Sequence, residues 1–533
     1  MDTTASETPV GFGFNISSGS GGSSVQLSSY IPASLIYVAA ATDPATQMPI
    51  KILNWVSLAS GPTPTPLQLS NFSVPATPGA AHGVCPESDI YGTIYDPTTE
   101  FVIVGDHTQN AGNGACVATD PFWLVTSPPP PFAATATQLT GAVDWTAPVV
   151  PLYNGSGLLV GVLAFTLDNP TEDLTYFPSA SPGTIPSFTS SNSTLVVSLA
   201  TMGTYLRIDT TREGVVNSGG SVVFFQVLNQ GFYKLYRIDA KGATLAYTFG
   251  DPVHDPSGTP LLSSSQLPAV RDDGNIYFGE QSGSNGNYTV AWYSYPIAGG
   301  TATLLNTSAP YANQGDYTLV DTDGSYLLLS YADYTKPSYN LQRLPVGGGS
   351  PSPLLSYGDA NTAGIQAYLD YSSHNVFVNH QTENLTEPYA APDSQVINLS
   401  TGQQVGTTVA ASRYLGLGNT LLTTQSAILQ LTGLTASSPA SDQGASVVSV
   451  PVNTTTGQGS AVTVAGGSTA FTLPTCASGS GLDTWVSPNA TGFYAGYLVP
   501  QGSCNSGNEI GILIDTTKNQ GVMTPATDSL FLF

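Results

Sequence analysis

The chain has 533 residues, of which 41% are apolar and only 9% charged, against roughly 25% charged in a typical soluble domain. Lys and Arg total 11 against 35 Asp and Glu, a formal charge of −24, which repels phosphate backbones and anionic headgroups and excludes nucleic acid as a partner class. With 27 Tyr, 19 Phe, 56 Gly and 40 Pro, the chain carries the core-forming residues that a disordered polymer lacks, interrupted at short intervals by turn formers.

In chain order, residues 1–28 come first. They form a polar, flexible segment without the basic and apolar regions of a signal peptide, and are read as following a removed export signal or a lipid anchor. From residue 29 onward, two series of strand–turn–strand signals alternate. One begins with Ile50-Lys-Ile-Leu-Asn-Trp-Val-Ser57, leading to Leu69. It continues through Tyr236–Leu245, Tyr293-Ser-Tyr-Pro-Ile-Ala-Gly-Gly-Thr-Ala-Thr-Leu-Leu305, Leu341–Leu355 (with Gly347-Gly-Gly349 at its turn), Val396–Val405 and Ile512–Val522. The other places a turn before a strand. Its members include Asp96–Val104, Asn217–Phe225, Asp272–Phe278, Asp321–Leu329, Ser372–Val378 and Ser487–Tyr494. Asp-Gly and Gly-Gly steps supply the positive φ that tight hairpins need, and the Val/Ile/Phe/Tyr runs have strand composition. Read together, each unit is strand a, tight turn, strand b, loop, strand c, tight turn, strand d, recurring at roughly 50 residues.

Four antiparallel strands repeated radially make a β-propeller. The expected fold is therefore all-β: a single propeller over 29–533 of four-stranded antiparallel blades, most simply eight, with seven or nine allowed. A β-helix, whose repeats are usually shorter, is the other reading. Ser529-Leu-Phe-Leu-Phe533 is expected to supply the strand missing from the first blade, removing an open edge. The tract Trp292-Tyr-Ser-Tyr-Pro-Ile-Ala-Gly-Gly-Thr-Ala-Thr-Leu-Leu305 resembles the c–d hairpin of bacterial secreted propellers of the TolB type, a resemblance clearest over 215–410. It implies a fold and no activity.

In that geometry the a–b and c–d turns share one end of each blade and the b–c and d–a loops the other. Long segments at 106–122, 279–287, 379–393, 425–445 and 499–508 are read as b–c loops, so any site is expected at their end. His82, His107, His254 and His380 map there, with Asp106, Asp251, Asp255 and Glu280; these eight are the ligand-binding candidates, open to the alternative that they are scattered solvated residues. Glu87, Asp89 and Glu383 are further acidic neighbours. The four cysteines form two local pairs, Cys85 with Cys116 and Cys476 with Cys504, read as disulfides in an oxidising compartment. Tyr288, Tyr293, Tyr331, Tyr334 and Tyr389 are open to two readings: a sugar- or peptide-binding surface, or packing between blades.

Asp321-Thr-Asp323-Gly resembles the start of a calcium loop without its later ligands and is read as a plain turn. No nucleophile elbow, Walker loop or HExxH is present, so no metal, cofactor or catalytic residue is assigned. The chain is accordingly expected to be a secreted, periplasmic or cell-surface, non-catalytic binding or scaffold module. Its expected partner is a protein or glycan on the long-loop end, with self-assembly as a further role and no transmembrane segment. The alternative is a secreted polysaccharide-active lyase or hydrolase with its site at the same end.

Overall fold

The computed structural model describes strands and turns between Ser34 and Leu532. Residues 1–33 and the longer connections, among them 58–66, 76–86, 110–121, 127–134, 251–268, 383–392, 411–426, 433–445, 471–482, 486–492, 499–509 and 524–529, lie outside the described residues. Nearly all of what is described is antiparallel β-structure, joined among the described residues into nine sheets.

The first sheet pairs Ser34–Thr42, Pro49–Ser57 and Leu67–Pro75. Its fourth strand is Leu530–Leu532, from the far end of the chain, in the register Leu35 to Leu532, Ile36 to Phe531 and Tyr37 to Leu530. The C-terminal segment thus completes this sheet, as its composition suggested. Each later sheet draws on one continuous stretch. The second runs from Glu87 to Leu139, the third from Val143 to Ser198 and the fourth from Thr204 to Thr248. The fifth spans Ala269–Thr307, the sixth Gly315–Tyr357, the seventh Thr362–Ala410, the eighth Ala427–Thr463 and the ninth Ala465–Met523.

The apolar runs that mark the strands have a packing reason. In Tyr326–Asp333, Leu327 and Leu329 enter one core with Trp292, Tyr277 and Val290 of the fifth sheet, while Leu328 enters another with Val376 and Val378 of the seventh. Successive strand side chains point to opposite faces, so a run apolar at every position is a strand covered on both. The same alternation places Tyr277 in the fifth–sixth core and Ile276 and Phe278 in the fourth–fifth core. It sends Val223 toward the third sheet and Val222 and Phe224 toward the fifth. Sheets three to seven therefore stack face on face in chain order.

Turn chemistry orients each sheet. In the fifth, Gly299 N–H donates to Pro296 O (2.9 Å), with φ +98° at Gly299 and +151° at Gly300. In the sixth, Gly348 donates to Pro345 O (3.0 Å) with φ +87°. These left-handed values explain the paired glycines. The residue after each third strand then donates back to the residue before the second: Ile297 N to Gly274 O, Val346 N to Ser325 O and Leu399 N to His374 O (2.7–3.0 Å). The a–b and c–d turns thus lie at one end of the sheet, as expected.

Several expected loops are corrected. Residues 279–287 are not a long loop, because Asn275–Ser284 and Asn287–Pro296 pair out to Ser284 opposite Asn287. Polar small residues there suggested a loop, but backbone pairing sustains a strand without apolar side chains, and Asn285-Gly286 is itself a two-residue hairpin signal. Gly283, at φ +125°, would place a Cβ 2.1 Å from Asn287 O. Asp106–Gln109 and Asn379–Thr382 likewise belong to strands Phe101–Gln109 and Asn375–Thr382, and the 425–445 tract contains strand Ala427–Thr432.

Candidate functional site

Asp106 and His107 in the second sheet, Glu280 in the fifth and His380 in the seventh all occupy the second strand of their sheet. They lie on ladders rather than in loops. His107 stands directly opposite Asp89, and Asp106 opposite Ile90. His380 stands opposite Ile365, and Glu280 opposite Ala291. His82, Asp251, His254, Asp255, Glu383, Tyr334, Tyr389 and all four cysteines lie outside the described residues, as do the side chains of Asp106, His107 and His380.

Glu280 is the candidate whose chemistry is visible. Its Oε2 accepts the Tyr247 hydroxyl at 2.7 Å across the fourth–fifth interface. The Tyr247 ring is packed by Phe249, Phe278 and Tyr293 at centroid distances of 5.1, 5.0 and 5.1 Å. Burial drives the Tyr247 pKa far up, and hydrogen bonding with Tyr293 and the Glu280 carboxylate pushes it further the same way. Tyr247 therefore remains a protonated donor, and Glu280 ties two sheets together. Tyr247→Phe is expected to lower stability by about 1 kcal/mol, and Glu280→Gln by less because an amide oxygen still accepts; denaturant midpoints read both. Tyr288 and Tyr331 pack in the fifth–sixth core and Tyr293 in the fourth–fifth core, so these three belong to packing between sheets.

Charged groups also cluster at the opposite, tight-turn end, around the Asp321-Thr-Asp323-Gly tract. Asp323 Oδ1 accepts Ser325 N–H and Tyr326 N–H (2.8 and 2.7 Å), and its Oδ2 lies 3.0 Å from His374 Nδ1 in the next sheet. The Asp323 side chain is fully buried, whereas His374 is 41% exposed. Both carboxylate oxygens serve a turn and its neighbour, so the Asp321-Thr-Asp323-Gly tract is a hairpin turn in this structure. Nearby, Arg343 donates from Nη1 to Leu399 O (2.6 Å) and to Ser400 O, and from Nε to Ser352 Oγ, while its guanidinium lies 4.8 Å from the Tyr326 ring centre. A Cβ at Gly402 would come within 3.1 Å of that guanidinium, so the glycine also makes room for it. Two sheets earlier, Arg237 donates from Nε to Ile297 O (2.6 Å) and from Nη1 to Asp239 (2.8 Å).

Partial burial raises the Asp239 pKa, but the Arg237 hydrogen bond, the Lys241 backbone N–H and the two cationic charges outweigh it and hold the carboxyl below its ordinary range. A depressed folded-state pKa contributes stability above the unfolded value that is lost as pH falls through the folded one. This corner is thus expected to weaken below about pH 4, by under about 1 kcal/mol because Asp239 is partly solvated. Asp239→Asn should flatten that limb of a stability–pH curve.

No family model matches the chain, and no curated protein matches it. Solved structures do. An oligogalacturonate lyase in complex with manganese aligns over 72% of this chain and 87% of its own, at 10% identity and a TM-score of 0.32. TolB from Acinetobacter baumannii aligns over 70% and 78%, at 10% identity and a TM-score of 0.24. Prolyl oligopeptidase B from Galerina marginata aligns over 91% of this chain but 56% of its own, at 8% identity and a TM-score of 0.33. These are similarities of fold alone and carry no activity to this chain. Among the described residues no helix is long and apolar enough to cross a membrane.

Proposed function

We propose that this chain is an exported or cell-surface β-propeller that works as a non-catalytic binding or scaffold module. In this reading the nine sheets are its blades, residues 29–533 form the ring, and the pairing of Ser34–Thr42 with Leu530–Leu532 closes it. The polar residues 1–28 stand outside. One observation carries the reading. The charged side chains visible between consecutive sheets act as fasteners: Glu280 for Tyr247, Asp323 for His374, and Arg237 and Arg343 for backbone carbonyls of the following sheet. Such fastening makes a stiff platform. On it, Asp106, His107 and His380 lie toward the b–c ends of their strands, where the longer connections 110–121 and 383–392 follow. A protein or glycan ligand at that end suits a rigid scaffold presenting variable loops.

The test combines a glycan array with a reducing-sugar assay on the ligands found. Binding without product is the expected result. Product release that His107→Ala or His380→Ala abolishes would replace this reading with a secreted polysaccharide lyase or hydrolase acting at the same end. The disulfides Cys85–Cys116 and Cys476–Cys504 belong to the exported reading, and mass mapping of the unreduced protein should recover both pairs. Crossed pairing such as Cys85 with Cys476 would contradict the assignment of these loops to single blades.

A further inference from the structure

Ten Asn-x-Ser/Thr triplets stand in the chain, and the function proposed above uses none of them. Such a triplet is the acceptor for an N-linked glycan where its asparagine reaches the surface of an exported protein. Five of these asparagines have described side chains: Asn154, Asn192, Asn287, Asn306 and Asn398. What their carboxamides already do separates them. Asn192 Nδ2 donates to Pro178 O (3.1 Å) and to Ser187 O (2.7 Å), so both of its amide hydrogens are spent. Asn306 Nδ2 donates to Gly349 O of the next sheet, and its Oδ1 is buried. Asn398 Nδ2 donates to Oδ1 of the fully buried Asn375 (3.1 Å), while its own Oδ1 accepts the Thr401 N–H (2.9 Å). Asn154 Oδ1 accepts the N–H groups of Ser156 and Leu158 (2.9 and 3.0 Å), which holds its carboxamide over its own turn. At Asn192 a sugar would replace a donor in use, and at Asn306 and Asn398 it would have to fit beside one.

Asn287 differs from all four. It is exposed, and its carboxamide forms no hydrogen bond with another described residue. It opens strand Asn287–Pro296 beside the second-to-third strand hairpin of the fifth sheet, opposite Ser284. Tyr288 is 2% exposed and points into the fifth–sixth core, where its N–H and C=O both bond with Tyr311 (2.9 and 2.8 Å). Side chains two apart on a strand share a face, so Asn287 and Thr289 stand together on the other side. The Thr289 hydroxyl lies 3.1 Å from Ser282 Oγ on the paired strand. A buried middle residue thus anchors the triplet and presents its amide and its hydroxyl on one face.

We propose that Asn287 is the acceptor of an N-linked glycan. In the transfer, Asn287 Nδ2 forms a bond to C1 of the first sugar of a polyprenyl-diphosphate-linked oligosaccharide. The C1–O bond to the diphosphate breaks, and the lipid diphosphate leaves with the electron pair. The amide gives one proton to a base of the transferase and keeps the other, with no change of oxidation state. The sugar stands at the long-loop end, on a sheet that meets that end with a two-residue connection, so it adds bulk there without displacing a contact between described residues. The inference rests on the exported part of the function proposed above, because this donor and its transferase act on chains that cross a membrane.

Glycopeptide mass mapping reads the site on the full chain, isolated after cell fractionation from the organism that encodes it. The peptide holding Asn287 should carry an oligosaccharide, and amidase release in heavy-oxygen water should leave a labelled aspartate at that position. Peptides holding Asn192, Asn306 and Asn398 should be bare. Asn287→Gln and Thr289→Ala should each lose the glycan, whereas Thr289→Ser, which restores the hydroxyl, should keep it; circular dichroism reports that each variant is folded. An exported chain with a bare Asn287, a glycan on Asn154 in its place, or a folded Thr289→Ala variant modified as wild type is would overturn the proposal. A bare chain recovered only from the cytosol overturns the exported reading and this inference with it, so the compartment tells the two failures apart.

Discussion

Trp292→Ala is expected to destabilise the chain by about 3–5 kcal/mol, the range for deleting a fully buried tryptophan and leaving a cavity. Trp292 is 1% exposed at the fifth–sixth interface, among Tyr277, Leu319, Leu327 and Leu329, with Tyr317 edge-on at 6.4 Å. Removing it opens a hole between two sheets rather than within one, and neither can move inward without disturbing its other neighbour. Leu328, on the reverse face of the sixth sheet, is already committed to the seventh. The loss should therefore spread, and circular dichroism should show an earlier, broader denaturant transition. Trp292→Phe should cost less than half as much. An unchanged midpoint for the alanine variant would mean that this interface contributes nothing to cooperativity.

Arg343→Ala is expected to cost about 2–3 kcal/mol, the scale for losing charge-assisted hydrogen bonds whose acceptors stay in place. One guanidinium serves Leu399 O, Ser400 O and Ser352 Oγ and covers the Tyr326 ring. A lysine would keep the charge but not the planar fork that reaches these acceptors at once, so Arg343→Lys should recover no more than about half. Arg237→Ala, with one cross-sheet carbonyl and a carboxylate of its own strand, should cost less. The two arginines fasten different pairs of sheets and share no partner, so their effects should add in the double variant. Urea midpoints at constant m-value measure all of these.

The parts of this molecule legible in the sequence are those specified locally. Gly299, Gly300 and Gly348 announced hairpins because a positive φ leaves a mark in residue choice. Leu327-Leu-Leu329 announced a strand because both faces are covered. Leu530–Leu532 was readable as a spare strand because an alternating set of strands lacked one member. The fasteners were not legible. Arg343 meets Leu399 O across 56 positions and Arg237 meets Ile297 O across 60, and a backbone carbonyl has no side-chain signature. Asp323 and His374, 51 positions apart, were each read within their own turn, where nothing pointed to the other. Glu280 reads as a loop residue because its neighbours are small and polar, a pattern that side-chain periodicity cannot tell from a strand held by its backbone ladder.

The register that joins Leu35 to Leu532 also sets a timetable. Strand Ser34–Thr42 can pair at once with Pro49–Ser57, yet its other edge waits for almost the whole of the chain. At ~5–20 residues per second, that wait is on the order of a minute during synthesis. Closing a loop of this length carries an entropy cost that grows only slowly with size, so delay is the greater hazard than instability. For that interval the nascent chain presents an open, apolar edge of the kind that recruits other strands. A helper that shields the first sheet until the last residues arrive would act on the yield of folded protein, with no effect on its final stability.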